Sequence, residues 1–417
     1  MSKRALQYSF SIPNYLRVRA ADRLPLRTLD SGKIPGLDLI DQAPKALPGD
    51  DWLRLEPLYT GICGSDISML TNRSGPSLMP FVSFPLVPGR GGGQSLGLGP
   101  GVAGLALGQR VVLNPVISCQ MRNLEPCRSC ASGMPGLCMK TTDGALSAGM
   151  LTGFCKDLPG GWSHDMIAHR SQIVAVPDAI DDRTAAVVEP FSVAVHAVLA
   201  NPPRQNDKVL IIGSGTIGLL VLAAIRMLGH TNSITVLARH PLQQELAGRF
   251  GATNVLKGGK AGDAAVQVTG ARAFQPLRGP KVYAGGFDTV YDCVGSNSSV
   301  DDSLRVAGPR ARVVLVGCAA EMHKLDLTPV WSRELTVSGC YVYGHEHELP
   351  GSPHTFSVAI DLIQKHPEIT LASIVTHVFT LDEWQTAMQV SLARGKHAAL
   401  KVLFDLRPGD DGASSVG

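Results

Sequence analysis

Four of the nine cysteines lie within twenty residues, at Cys119, Cys127, Cys130 and Cys138, in a stretch rich in Gly, Ser and Pro. Thiolates spaced in this way, C-x2-C-x7-C with one more upstream, close tetrahedrally around a single Zn²⁺. Four protein ligands leave no position open for a substrate, so the metal this spacing predicts is structural. Loose reduced thiols are the alternative reading, which the C-x-x-C knuckle disfavours. Gly213, Gly215 and Gly218 form a second constellation, G-S-G-T-I-G, directly after the apolar run Val209 to Ile212 and directly before an apolar helix. In that setting the first glycine allows a tight turn, and the second lets a pyrophosphate approach the backbone amides around Thr216, Ile217 and Gly218. The helix N-terminus adds positive potential, so the chemistry predicted is dinucleotide binding.

An NAD site usually ends its second strand on a carboxylate that accepts the ribose 2′-hydroxyl. Here that strand ends Leu237-Ala238-Arg239-His240. A guanidinium pairs with a 2′-phosphate in bidentate fashion, so Arg239, with His240 beside it, favours NADP, and NAD stays open as the second choice.

These residues need regular elements to hold them. From Asp51 to Val116 short aliphatic runs alternate with Gly, Pro and Asn, which predicts a β-rich region, and a helical pattern begins near Asp182. From Asn206 the pattern changes to strand, glycine turn, helix and strand, the alternation of βαβ units and a parallel sheet. FDTVYDCVGS and ARVVLVGC supply two more strands. Lys257 to Gly286 reads as a helix with a loop insertion, Thr355 to Lys365 as a helix, and LKVLFDL as the last strand. The polar tail from Arg407 to Gly417 reads as frayed.

A chain of 417 residues exceeds a single small core and predicts two or three domains. Its 38 basic and 35 acidic residues leave a formal charge of +3, no footprint for nucleic acid or an anionic membrane. The cysteine loop carries two arginines and no aromatic residue, which also disfavours nucleic acid. Met1 to Asn14 lacks the apolar core of a signal peptide and no segment stays apolar long enough to span a bilayer. The expectation is a cytoplasmic protein whose partner is a small-molecule substrate.

Taken in order, G-I-C-G-S-D (Gly61 to Asp66), the four-cysteine loop, V-E-P (Val188 to Pro190) and G-S-G-T-I-G resemble the zinc-dependent medium-chain dehydrogenases and reductases, the group of the alcohol, sorbitol and threonine dehydrogenases. The resemblance implies an α/β protein. A GroES-like β-rich catalytic domain is built from both chain ends, 1–195 and 345–417, around a Rossmann domain with a doubly wound parallel sheet, 196–344. It also implies hydride transfer at nicotinamide C4, a basic residue near the cofactor at Lys401, and a homodimer or homotetramer.

In that family the cysteine matching Cys63 binds a catalytic zinc with the histidine of a G-H-E motif, and a later ligand falls at Glu189. Here the G-H-E segment reads Gly89-Arg90-Gly91. Arginine offers a metal no lone pair, and Cys63 with Glu189 alone leaves two protein ligands. A catalytic zinc is therefore not expected unless a histidine from elsewhere supplies a third donor. Two placements follow for Arg90: it takes the metal's space and pairs with Glu189, or it turns to solvent. Ser65 matches the family's hydroxyl that bonds the substrate oxygen, with a satisfied turn serine as the plainer reading. Asp66 braces the site, and Ser68 replaces the relay histidine. Trp162 and Trp331 read as core or cleft-lining residues, His196 as structural, and Cys293, Cys318 and Cys340 as packing thiols.

The activity expected is an NADP-dependent oxidoreductase acting on a small or medium organic substrate with an activated C=C, C=N or aldehyde group. Ordinary alcohol–ketone exchange at an unusual metal site and a cofactor-binding descendant without redox activity are the alternatives.

Overall fold

The computed structural model describes residues 3–23, 32–258, 260–318 and 320–407, so most of the polar C-terminal tail lies outside the described residues. β1 (Arg4–Tyr8) and β2 (Leu37–Asp41) pair antiparallel. β3 (Trp52–Ile62), β4 (Arg90–Leu98), β5 (Arg110–Leu113), β6 (Met166–His169) and β7 (Ile173–Ala175) then form antiparallel pairs, with β3 central and buried along most of its length.

Between them and the second sheet runs the helix Asp182–Ala200, whose first amides, of Arg183 and Thr184, are accepted by the Asp181 carboxylate. It is long and apolar enough to cross a membrane, but 72 % of that apolar stretch is buried inside the fold. Val187, Phe191 and Val195 share one core with Leu219 and Leu222 of the helix Thr216–Met227 and Ala359 of the helix Thr355–Lys365. The boundary drawn between residues 195 and 196 falls inside this unbroken helix.

β8 (Lys208–Ile212), β9 (Ser233–Ala238) and β10 (Asn254–Lys257) open a six-stranded sheet. It is completed, past a surface hairpin of β11 (Arg272–Phe274) and β12 (Val282–Ala284), by β13 (Phe287–Asp292), β14 (Ala307–Leu315) and β15 (Thr336–Gly339). The order is β10-β9-β8-β13-β14-β15 and every pairing is parallel, the doubly wound arrangement. Val209, Leu210 and Ile211 are fully buried because helices cover both faces. The helix expected over Lys257 to Gly286 shrinks to Ala261–Ala264 and one further turn, and the rest is the hairpin, with Phe274, Leu277 and Val282 exposed. Gly270, with a left-handed backbone, stops the helix, and the turn chemistry of Gln275 to Pro280 folds the chain back.

β16 (Val375–Thr380) and β17 (Lys401–Asp405) return to the first sheet, where β17 pairs antiparallel with β3 to give β16-β17-β3-β4-β5-β7. The β-rich part is thus built from both ends of the chain.

Candidate active site

The dinucleotide turn follows directly from β8. Gly213 adopts φ +96°, and a Cβ there would lie 2.4 Å from the Val294 side chain. A Cβ on Gly218 would lie 1.7 Å from the Gly213 carbonyl oxygen, so only glycine lets the helix press onto the turn. Gly215 faces open space, and beyond it lies a cavity of about 440 Å³ lined by Gly215, Thr216, Arg239, His240, Lys260 and Arg394 among others. The Thr216 hydroxyl is buried without a hydrogen-bond partner, an idle polar group at a helix N-terminus. With two arginines, a lysine and a histidine around it, the cavity fits an anionic dinucleotide.

Of the residues expected on the cofactor, Gly213, Gly215, Thr216, Arg239 and His240 line this cavity. Gly218 and Ile217 do not: Gly218 is spent on packing against Gly213, and Ile217 packs into the core. Lys401 lies elsewhere, as described below, and Lys260 and Arg394 supply cations that the motif did not reveal.

Cys119, Cys127, Cys130 and Cys138 bring their Sγ atoms within 4.8 Å of one another. Backbone amides of Cys127, Met139 and Lys140 point at three of the sulfurs at 3.3–3.5 Å, as they do where thiolates carry charge. Burial resists ionisation of Cys127, but the Met139 and Cys130 amides and the neighbouring thiols lower its pKa to about 6. Burial first, with Cys119 behind it, pushes Cys138 up to about 11 against the Lys140 amide and Cys130. Four thiols this close ionise together only around a cation, so the donor set fits one Zn²⁺.

The cleft residues come from three places. Cys63 caps the helix Gly64–Leu70 in extended conformation, and Asp66 reaches back to accept the Cys63 amide at 2.8 Å. Arg90 begins β4, directly opposite Gly61 of β3. Glu189 comes from the helix Asp182–Ala200. Arg90 lies over the Phe154 ring, 4.9 Å from its centroid, with Nη1 3.4 Å from the Ser65 hydroxyl and Nε buried without a partner. Burial works against its charge, but Asp66 and Glu189 more than offset this and hold the guanidinium ionised. Burial raises Asp66, with Arg90, the Cys63 amide and Lys401 opposing.

The Glu189 carboxylate accepts the Tyr343 hydroxyl at 3.2 Å. Arg90 therefore turns inward onto Ser65 and Phe154 rather than to solvent, and acts on Glu189 only through charge at longer range. Among the described residues, the four cysteines are the one group of three or more His, Cys, Asp or Glu side chains whose ligand atoms close on a common point. Cys63, Asp66 and Glu189 do not converge in that way, and a guanidinium stands among them, so this donor set does not fit a catalytic metal.

Other expectations resolve individually. Trp162 is fully buried and donates to the Gly61 carbonyl at 3.3 Å, whereas Trp331 is an exposed surface residue. His196 is structural, paired with Glu346 at 2.9 Å. Cys318 is not a packing thiol: it is exposed, and desolvation by the neighbouring protein first, then Cys63, raise its pKa while Arg90 opposes. Tyr343 escaped the sequence reading altogether, because nothing in Y-V-Y-G-H marks the second tyrosine as the one that meets Glu189.

Two family descriptions match the chain: the alcohol dehydrogenase GroES-like domain over residues 49–178, and the zinc-binding dehydrogenase over residues 216–366. The probable D-xylulose reductase A of Arthroderma otae is 28 % identical over 333 residues, 79 % of this chain and 84 % of that protein. An Escherichia coli CFT073 alcohol dehydrogenase solved with NADH superposes with a TM-score of 0.72 at 22 % identity, covering 97 % and 100 % of the two chains. A zinc-binding dehydrogenase of Sinorhizobium meliloti 1021 solved with NADP gives 0.71 at 23 %, covering 97 % and 99 %. The chain belongs to the medium-chain dehydrogenase/reductase superfamily, and with it to the NAD(P)-dependent oxidoreductases.

Proposed function

We propose that this protein is an NADP-dependent reductase or dehydrogenase that moves hydride between nicotinamide C4 and an organic substrate without a catalytic zinc. The observation that carries the reading is Arg90, a permanently charged group placed beside Ser65 and Cys63 where the family keeps a metal ligand. Bound in the 440 Å³ cavity, the dinucleotide supplies or takes up the hydride. Arg239, His240 and Lys260 around the same cavity favour a 2′-phosphate and hence NADP. Arg90 and Ser65 bind the oxygen-bearing end of the acceptor and stabilise negative charge on it, a role in which losing one donor typically costs about 100- to 1000-fold in turnover. The four cysteines hold one structural zinc.

The retained Cys63 and Glu189 favour a second reading, alcohol–ketone exchange at an unconventional metal site. Metal content and turnover separate the two. One zinc per chain, NADPH consumption with activated acceptors and a turnover loss in Arg90→Met at unchanged NADPH affinity support the first. Two zincs, with activity lost when the second is stripped, overturn it in favour of the metal site. Tight NADPH binding with no hydride transfer to any acceptor overturns both and leaves a non-redox descendant.

A further inference from the structure

Arg90, Gly61 and Lys401 come from three neighbouring strands. Gly61 of β3 faces Arg90 of β4 on one side and Leu403 of β17 on the other, with Lys401 at the start of β17. A Cβ on Gly61 would sit 2.3 Å from the Lys401 Nζ, so the lysine lies directly across the glycine, and Lys401 is only 5 % exposed. Arg394 is a third cation: it lines the dinucleotide cavity and is in electrostatic reach of Cys63 and Asp66.

Against these three stand two carboxyl groups whose bonds go elsewhere, Asp66 to the Cys63 amide and Glu189 to Tyr343. Neither carboxyl group is hydrogen-bonded to Arg90 or Lys401, so these two cations lack a bonded counter-anion among the described residues. Arg90, stacked on Phe154, spends one Nη on a long contact with Ser65 and leaves Nε idle. A desolvated cation with unspent donors is costly unless an anion completes it, and a guanidinium pairs best with the two oxygens of a carboxylate.

We propose that the substrate is a small organic acid whose carboxylate is held by Arg90 with Ser65, in the field of Lys401, so that its neighbouring carbons extend toward Arg394 and the dinucleotide cavity. This rests on the reading of the cleft as the site of hydride transfer, but its test does not depend on turnover.

Calorimetric titration of the NADP-loaded protein with crotonate, 2-oxobutyrate, crotonamide and inorganic phosphate supplies that test. Both acids are expected to bind at least tenfold more tightly than crotonamide. R90Q weakens them thirtyfold or more with NADPH affinity and melting temperature retained, and R90K falls between. Equal affinity for crotonate and crotonamide, no binding of either acid, or an R90Q variant that binds crotonate as wild type does overturns the proposal. Phosphate binding tighter than both acids overturns the choice of a carboxylate. If R90Q does not fold, the comparison of acid with amide on the wild-type protein decides. Acids that bind through Arg90 without consuming NADPH refute the hydride-transfer reading alone, and NADPH consumption with neutral acceptors and no preference for acids refutes this one alone.

Discussion

Tyr343 donates its hydroxyl to Glu189 across 3.2 Å, joining the crossover that follows β15 to the long helix between the two sheets. Burial first, and then the facing carboxylate, hold the Tyr343 phenol well above its ordinary pKa, so it stays a donor at any pH the protein meets. Tyr343→Phe deprives the carboxylate of its donor in a closed site, a loss of about 1–3 kcal/mol. Urea unfolding should show a lower midpoint at unchanged slope. An unchanged midpoint would mean that water serves Glu189 equally well.

Arg239 stands at the end of β9, on the rim of the cavity, with His240 beside it and Lys260 as a neighbouring cation. A charge-assisted bond to a 2′-phosphate is worth roughly 1.5–3 kcal/mol. Arg239→Ala is therefore expected to weaken NADPH at least about tenfold while NADH changes little, and Arg239→Glu to reverse the preference. Fluorescence titration with both cofactors measures this. Equal losses for NADPH and NADH would show that Arg239 does not meet the phosphate.

The parallel sheet and its glycine turn were legible because their signal is local: an apolar strand, three glycines and an apolar helix are contiguous in sequence. The cysteine loop was legible for the same reason. The cleft was not, because it is assembled from β3, β4, β17 and two helices far apart in the chain. Lys401 illustrates the difficulty. Family position pointed it at the cofactor, whereas the pairing of β17 with β3 sets it over Gly61. Arg394 takes the place at the cavity instead, from an A-R-G-K-H turn with no motif to mark it. Arg90 was singled out by its type, but its partner could not be read, since Ser65 and Glu189 lie on different elements and only packing decides between them.

His354 caps the helix Thr355–Lys365, accepting the Phe356 amide at Nδ1, and packs against Tyr343, Phe356 and His345. Burial first, then His345 and His196, lower its pKa from 6.5 to about 4, with Glu346 opposing. The unfolded chain takes up the proton near 6.5 and the folded one only near 4. Between those values the unfolded state binds more protons, so stability falls as pH drops through that window and is unaffected by this group above it. The slope is about 1.4 kcal/mol per pH unit, or roughly 2 kcal/mol lost by about pH 5. His354→Asn keeps a capping acceptor without the titration and should flatten the curve there. Urea midpoints from neutral pH down to about pH 5 give the comparison, and parallel curves for the two proteins would exclude His354 as the source.

Arg122 links the cysteine loop to the chain that follows it. Its guanidinium, fully buried, donates to the carbonyls of Asp143 at 3.0 Å, Leu146 at 2.8 Å, Ser147 at 3.2 Å and Gly149 at 2.7 Å. Arg122 lies between Cys119 and Cys127 in the chain, so a zinc on the four thiolates would hold the same stretch that these hydrogen bonds tie down. Arg122→Met removes the donor from four carbonyls, of which Ser147 keeps a second partner in the Cys155 thiol, and is expected to cost at least about 3 kcal/mol. Stripping zinc with a strong chelator should lower the wild-type melting temperature while NADPH affinity holds, because the cavity belongs to the other sheet. The two losses should not add: in the Arg122→Met protein, chelation lowers the melting temperature by less than in wild type, since a loop already released has less to lose. Calorimetric melting of both proteins with and without chelator closes this cycle, and additive shifts would show that metal and guanidinium stabilise separate parts of the fold.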